Sequence, residues 1–172
     1  CGSAQVIQLL DDTREFARRA NPQPEDFYCL QPLVIQARPD GTLAQVAGQQ
    51  RLTTLFLILR HFNERLAKKF QQPSFDLIYE TRSGLATFLE DPTKDAASAN
   101  ADFHHFFGAI EAIEVWFSEH ETEVEELKAA LLNRTKVIWY QLAETDNAVD
   151  AFTRLNVGKI PLTNDELIRA LF

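Results

Sequence analysis

The sequence predicts an α+β fold, with a few strands set among many helices. Three observations predict it. Phe27–Ala37 and Thr42–Ala47 are strand-like runs on either side of a turn, Arg38-Pro39-Asp40-Gly41. Arg51–Phe70 repeats apolar residues at helical spacing. Thr135–Leu142, with Val137, Ile138, Trp139 and Tyr140, has the composition of a strand far along the chain.

Taken in chain order, Val6–Arg19 reads as a helix: Val6, Leu9, Leu10, Thr13, Phe16 and Ala17 recur at three- and four-residue steps. Asn21-Pro22-Gln23-Pro24 ends it, because proline restricts the residue before it and cannot continue a helix. Phe27–Ala37, interrupted at Pro32, pairs with Thr42–Ala47 as a hairpin; in the turn, proline presets φ and Gly41 accepts positive φ. After Gly48-Gln49-Gln50 comes the long helix, with Leu52, Leu55, Phe56, Leu59, Phe62, Asn63 and Leu66 on its expected inner face. Phe75–Tyr79 suggests a short strand, Ser83–Leu89 a short helix, and Asp91–Ala101, small and polar, a loop. Phe103–Phe117 and Thr122–Leu132 read as helices, and Thr135–Leu142 as a buried strand. Asn147–Leu155 reads as a helix and Asn156-Val157-Gly158-Lys159 as a turn. Pro161-Leu162-Thr163-Asn164 then leads into a last helix, capped by Thr163 or Asn164, with Glu166 in its first turn. There is no repeat and no low-complexity tract.

At 172 residues, 45% hydrophobic and 24% charged, the chain has the size and composition of one globular domain able to bury a core. The apolar stretch Leu52–Leu59 is too short to span a bilayer. Cys1-Gly2-Ser3-Ala4-Gln5 has neither the basic region nor the apolar run of a secretory signal, and Cys1 and Cys29 form no disulfide framework or metal quartet. A reducing cytoplasm is therefore expected. The net charge of -8 disfavours a general nucleic-acid-binding surface, though not a local basic pocket. Much of it comes from Glu119–Glu126, which reads as a solvated helix start where acids suit the dipole. With no Met and Cys1 in first place, the sequence is expected to be a fragment.

The chemistry centres on Gly48-Gln49-Gln50-Arg51, between a strand and a long helix. A helix start carries unpaired N–H groups and the positive end of the dipole, so it attracts anions. Glycine lets backbone approach a phosphate closely, and Arg51 can offer a planar fork to phosphate oxygens. Gln49 and Gln50 can donate amides to the same oxygens or orient a water, and Thr53 and Thr54 add hydroxyls in the first turn. The plainer alternative is a glycine turn whose Arg51 pairs with a surface acid.

Gly48-Gln49-Gln50-Arg51-Leu52-Thr53-Thr54-Leu55 resembles the Asp-Gly-Gln-Gln-Arg-Leu-Thr-Thr signature of the domain-of-unknown-function family 262. That family is the N-terminal domain of GmrSD-type, modification-dependent restriction endonucleases. The block Phe152–Phe172 is similar to the family's closing motif, and Tyr79-Glu80-Thr81-Arg82 and Asp102-Phe103-His104-His105 resemble family segments in order. The resemblance implies a ParB/sulfiredoxin-like α+β core, a small mixed sheet with a large helical extension. On that template roughly residues 1–80 hold the core part, 81–135 the helical extension and 136–172 the closing strand and helices, all in one domain. It also implies nucleoside triphosphate binding with Mg2+, and hydrolysis, at the glutamine-glutamine-arginine loop, in a modification-dependent restriction or anti-phage defence system. Catalytic roles then fall on Gln49, Gln50 and Arg51, and nucleotide binding on Gly48, Gln49, Gln50, Arg51, Thr53 and Thr54.

Two departures qualify this. Ala47 stands where the family has its leading acid, the natural group to bind Mg2+ or position the attacking water. Binding therefore survives more readily than hydrolysis. The family's opening Tyr/Ile-Pro-x-Tyr-Gln-Arg-like strand has no counterpart here, so a first strand and one wall of the pocket are expected to be missing. The histidines are His61, His104, His105 and His120, so an HNH-type nuclease and the DNA contact are expected from a region or partner outside this sequence; an oligomer is compatible with it. The alternative is a non-catalytic DNA- or protein-binding sensor module using a degenerate nucleotide pocket.

Other residues carry weaker signals. Glu80 and Arg82, two apart on a strand end, can face one side and join the pocket, or form a surface salt bridge. Asp102 reads as the cap of a helix start; His104 and His105 point about 100° apart on that helix, so one ion is not shared between them and no metal site is expected. Arg154, Asn156 and Lys159 surround a glycine turn and can contact phosphates, or merely end a helix. Trp116 and Trp139 read as core, and Asp11 and Asp12 as solvated.

Overall fold

A computed structural model describes residues 2–20, 23–71, 75, 77, 84–143, 146 and 147, without the side chains of residues 31, 47 and 99. Among these residues the α+β expectation is met: six α-helices and a small mixed sheet. The chain divides into a helical unit, Cys1–Gln23 with Gln50–Asn133, and a sheet unit, Pro24–Gln49 with Arg134–Phe172.

In the sheet unit, β1 (Tyr28–Ala37) lies between β2 (Leu43–Ala47) and β3 (Thr135–Leu142). β1 and β2 are the expected hairpin, antiparallel, with a bulge between Val34 and Ile35. Its turn forms as the sequence dictates: Gly41 has φ 82°, Arg38 N–H donates to the Thr42 carbonyl at 2.9 Å, and Asp40 Oδ1 accepts from both Thr42 N–H and its hydroxyl. β3 pairs parallel to β1, with a register shift between Leu30 and Leu33, where Pro32 supplies no N–H. Leu30, Leu33, Val34, Ile35 and Leu142 are buried. β3 corrects an expectation. It is a strand, but not a buried one: Trp139 is 51% and Tyr140 52% exposed, so Trp139 is not core. Apolar composition reports strand propensity, and burial depends on position in the sheet, which local sequence does not encode.

In the helical unit, α1 (Ser3–Ala17) begins with the Gln5 side chain reaching back to the Gly2 N–H at 3.0 Å. Its buried stripe is Val6, Leu10, Thr13 and Phe16, the 3.6-residue period read from the sequence. Ser3 hydroxyl donates to the Gly108 carbonyl of α5 (Ala101–Glu119). Trp116 is 5% exposed, and its indole N–H donates to Asp11 at 2.8 Å, so Asp11 is engaged rather than merely solvated. The acidic run is not all solvated either. Arg14 grips Glu123 with two nitrogens while Arg18 adds a third contact, and the Arg14 guanidinium holds the Glu123 carboxyl down at about 2.

The long helix, α2 (Gln49–Glu64), starts two residues earlier than expected and ends at Glu64, followed by a separate 3-10 turn at Lys68–Phe70. Its buried residues are Thr53, Thr54, Leu57, Ile58, His61 and Phe62, a face rotated from the expected one; only Phe62 is common to both. Leu55, Phe56 and Leu59 are partly buried against the same core, so the helix is apolar nearly all round and its period has no unique phase. α3 (Leu85–Glu90) follows Gly84 at φ 80°. The expected loop Asp91–Ala101 instead contains α4 (Lys94–Ala99), whose Thr93 caps the Ala96 N–H and whose alanines favour helix. Asn100, not Asp102, caps α5, accepting from the Asp102 N–H at 2.8 Å. α6 (Val124–Asn133) completes the unit. The core joins Val6, Leu57, Ile58, Phe62, Leu85, Phe88, Phe106, Ile113, Phe117 and Leu127, among others. The expected strand Phe75–Tyr79 lies mostly, and the helices after Asn147 entirely, outside the described residues.

Candidate functional site

The chain passes from β2 to the first turn of α2 through a single residue, Gly48, at φ 91°. Only glycine adopts this conformation without strain, and the space around it imposes the same choice. A Cβ there would lie 2.6 Å from Leu33 Cδ2 and 3.1 Å from the Pro32 carbonyl oxygen. Close packing on β1 therefore accounts for this glycine, and the same tight passage sets the start of the helix.

Gln49 and Gln50, the first two residues of α2, are exposed. They stand in the opening turn, where the positive end of the helix dipole lies. Arg51 is half-buried, and burial pushes its guanidinium pKa down from the ordinary value while leaving it charged at any accessible pH. No described carboxylate forms a salt bridge with it, so the plainer expectation, an Arg51 paired to a surface acid, is not realised among the described residues. The threonines differ from the glutamines. Thr53 and Thr54 are 3% and 2% exposed, and Thr54 hydroxyl donates to the Gln50 carbonyl at 2.8 Å, within the helix.

Together these residues present two exposed carboxamides and one partly desolvated cation on consecutive positions at a helix start. The set suits anionic oxygens. Ala47 supplies no carboxylate, and no group of three His, Cys, Asp or Glu that could hold a metal occurs among the described residues. His104 and His105 are exposed, with ring centroids 6.1 Å apart. Glu80, Arg82, Arg154, Asn156 and Lys159 lie outside the described residues.

A family model, GmrSD restriction endonuclease, N-terminal domain, matches residues 2–172. The chain belongs to this family. No curated protein and no solved structure matches it. Membership of the GmrSD N-terminal family ties the chain to a restriction system, and so to the handling of DNA. No helix among the described residues is long and apolar enough to cross a membrane.

One buried polar group escaped the sequence reading. His61 is 7% exposed, stacked on Phe117 with ring centroids 4.7 Å apart. Burial, followed by the charge of Arg65, lowers its pKa to about 4, so the imidazole is neutral at pH 7. The available signal was a histidine inside an apolar helical run, which is ordinary for a core residue.

Proposed function

We propose that the first turn of α2 in this GmrSD N-terminal domain binds the phosphates of a nucleoside triphosphate, and that this binding regulates the restriction activity of the larger system. The observation that supports it most is the pairing of exposed Gln49 and Gln50 with a half-buried Arg51 that has no carboxylate partner among the described residues. Taking a guanidinium from water has a cost, and a phosphate oxygen arriving at that position offsets it with charge-assisted hydrogen bonds. The backbone amides and the helix dipole add to the same attraction. Gln49 and Gln50 orient the phosphate tail or a water, and Arg51 stabilises charge developing on the terminal phosphoryl group.

The donor set offers no carboxylate for Mg2+, which arrives, on this reading, with the nucleotide. Binding is therefore the primary activity and hydrolysis the weaker one, since Ala47 cannot position an attacking water. Ala47 equally supports a second reading, a sensor module that contacts DNA or a protein and keeps the pocket only as structure.

Calorimetric titration with each nucleoside triphosphate and Mg2+ tests this on the chain as it stands and on Ala47→Asp. Saturable binding by both, with phosphate release only from Ala47→Asp, is the expected result. Absence of binding to either protein sinks the proposal and leaves the sensor reading, which expects affinity for DNA or a partner that is indifferent to Arg51→Ala.

A further inference from the structure

The turn that follows α2 concentrates positive charge on a chain whose net charge is -8. Arg65, Lys68, Lys69 and Phe70 are all exposed, Phe70 at 60%. Glu64, the adjoining acid in the chain, is held by Arg60. Arg65, Lys68 and Lys69 form no ion pair among the described residues. We propose that this turn is a docking site for single-stranded nucleic acid, with an unpaired base stacked on Phe70 and the flanking phosphates on Arg65, Lys68 and Lys69.

Hydrogen bonds hold the turn in shape. Leu66 N–H donates to the Asn63 carbonyl at 3.0 Å, and Phe70 N–H to the Ala67 carbonyl at 2.8 Å. The Gln71 carboxamide reaches back to the Asn63 carbonyl at 3.0 Å and to that of Leu66 at 3.4 Å. Charge and ring are therefore presented on a fixed backbone, which lowers the ordering entropy lost on binding. They also lie side by side, with Lys69 Nζ 4.8 Å from the Phe70 ring centroid. A single strand alternates the matching features, phosphate and flat base, and stacking on an aromatic ring accepts any base. In a duplex the bases are already stacked and out of reach of Phe70. An acidic peptide would use the cations and leave the ring idle. An anionic membrane requires apolar area to insert, and Phe70 is the one exposed large hydrophobic residue of the turn.

Fluorescence anisotropy of a labelled oligothymidine, titrated with the whole chain over a series of salt concentrations, tests this. Phe70→Ala should weaken binding roughly fivefold to a hundredfold with thermal unfolding unchanged, and Phe70→Trp should retain the affinity. Three phosphate contacts predict that log affinity falls with log salt at a slope of about -2; the double variant Lys68→Gln, Lys69→Gln should bring it to about -0.7. Arg51→Ala should leave the titration unchanged, because the first turn of α2 lies ~22 Å away along the helix. No binding, equal affinity in Phe70→Ala, or loss of binding in Arg51→Ala overturns the proposal. So does tighter binding to the duplex of the same sequence, or flotation with phosphatidylserine vesicles in place of binding to the strand.

Discussion

Along α2 the first turn and the stretch after it answer to different constraints. Gln49 and Gln50 face solvent and Arg51 is half-buried, whereas Thr53, Thr54, Leu57, Ile58, His61 and Phe62 of the same helix are buried. In the buried stretch every polar atom needs a partner, as the Thr54 hydroxyl finds in the Gln50 carbonyl. In the first turn, Arg51 has no described carboxylate partner and can be met by something that comes from outside. Stability should therefore be concentrated in one part of the helix and ligand affinity in the other, and substitutions along α2 and against it measure how sharp that division is.

The largest effect is expected from the core that the buried stretch packs on. Phe117 is fully buried, stacked on His61 and edge-on to Phe62 at 5.2 Å. Phe117→Ala removes the aromatic contacts and leaves a cavity, a loss of about 3–5 kcal/mol against a typical total near 5–15. Denaturant unfolding followed by circular dichroism measures it; a loss under about 1 kcal/mol would mean that α2 and α5 do not share a tight core.

His61 predicts a pH dependence in the same stretch. Its folded pKa, about 4, lies below the ordinary 6.5, so between these values the unfolded chain takes up a proton that the folded chain refuses. Its neutral form supports full stability above pH 6.5, and the contribution falls away as the pH drops towards 4. A difference of that size is worth roughly 3 kcal/mol as an upper order of magnitude. Unfolding midpoints at pH 7.5 and 4.5 should separate clearly, and His61→Phe should bring them together. An unchanged separation in the variant would assign the slope to other groups. Glu123 is one: its lowered pKa makes the Arg14 pair matter in a more acidic window, between about 4.5 and 2.

Gly48 sits at the border of the two regimes. Gly48→Ala places a methyl group into contact with Leu33 and the Pro32 carbonyl at positive φ, for an expected loss of about 1–3 kcal/mol. If the turn exists chiefly to admit a phosphate, the variant should keep its stability and lose only affinity. Loss of both, in proportion, would show that packing on β1 and presentation of the helix start are one requirement.

What the sequence disclosed follows the same division. Local signals were legible: the Asp40-Gly41 turn, the period of α1, and the strand-to-helix passage at Gly48. Features set by distant neighbours were not. The inner face of α2 differs from the expected one because nearly all its sides are apolar, α4 is too short at 6 residues to show a period although its alanines favour helix, and Trp139 is exposed despite its strand-like surroundings. The motif identified Gln49, Gln50 and Arg51 by residue type, but nothing in it separated the exposed glutamines from the buried threonines that follow.

The smallest effect on stability should come with the largest effect on binding. Arg51→Ala removes a half-buried guanidinium that no described carboxylate pairs with, so its removal should change stability by no more than about 0.5 kcal/mol. A charge-assisted contact to phosphate is worth about 1.5–3 kcal/mol, so nucleotide affinity should fall roughly tenfold to more than a hundredfold. Arg51→Lys should restore little of it, because a point charge cannot reproduce the planar fork. Calorimetry and denaturant unfolding on the same preparations separate the outcomes. A marked loss of stability with affinity intact would make Arg51 a structural residue and extend the buried regime to the very start of α2. Affinity lost at constant stability would confine it to the residues that follow, leaving the first turn for the ligand.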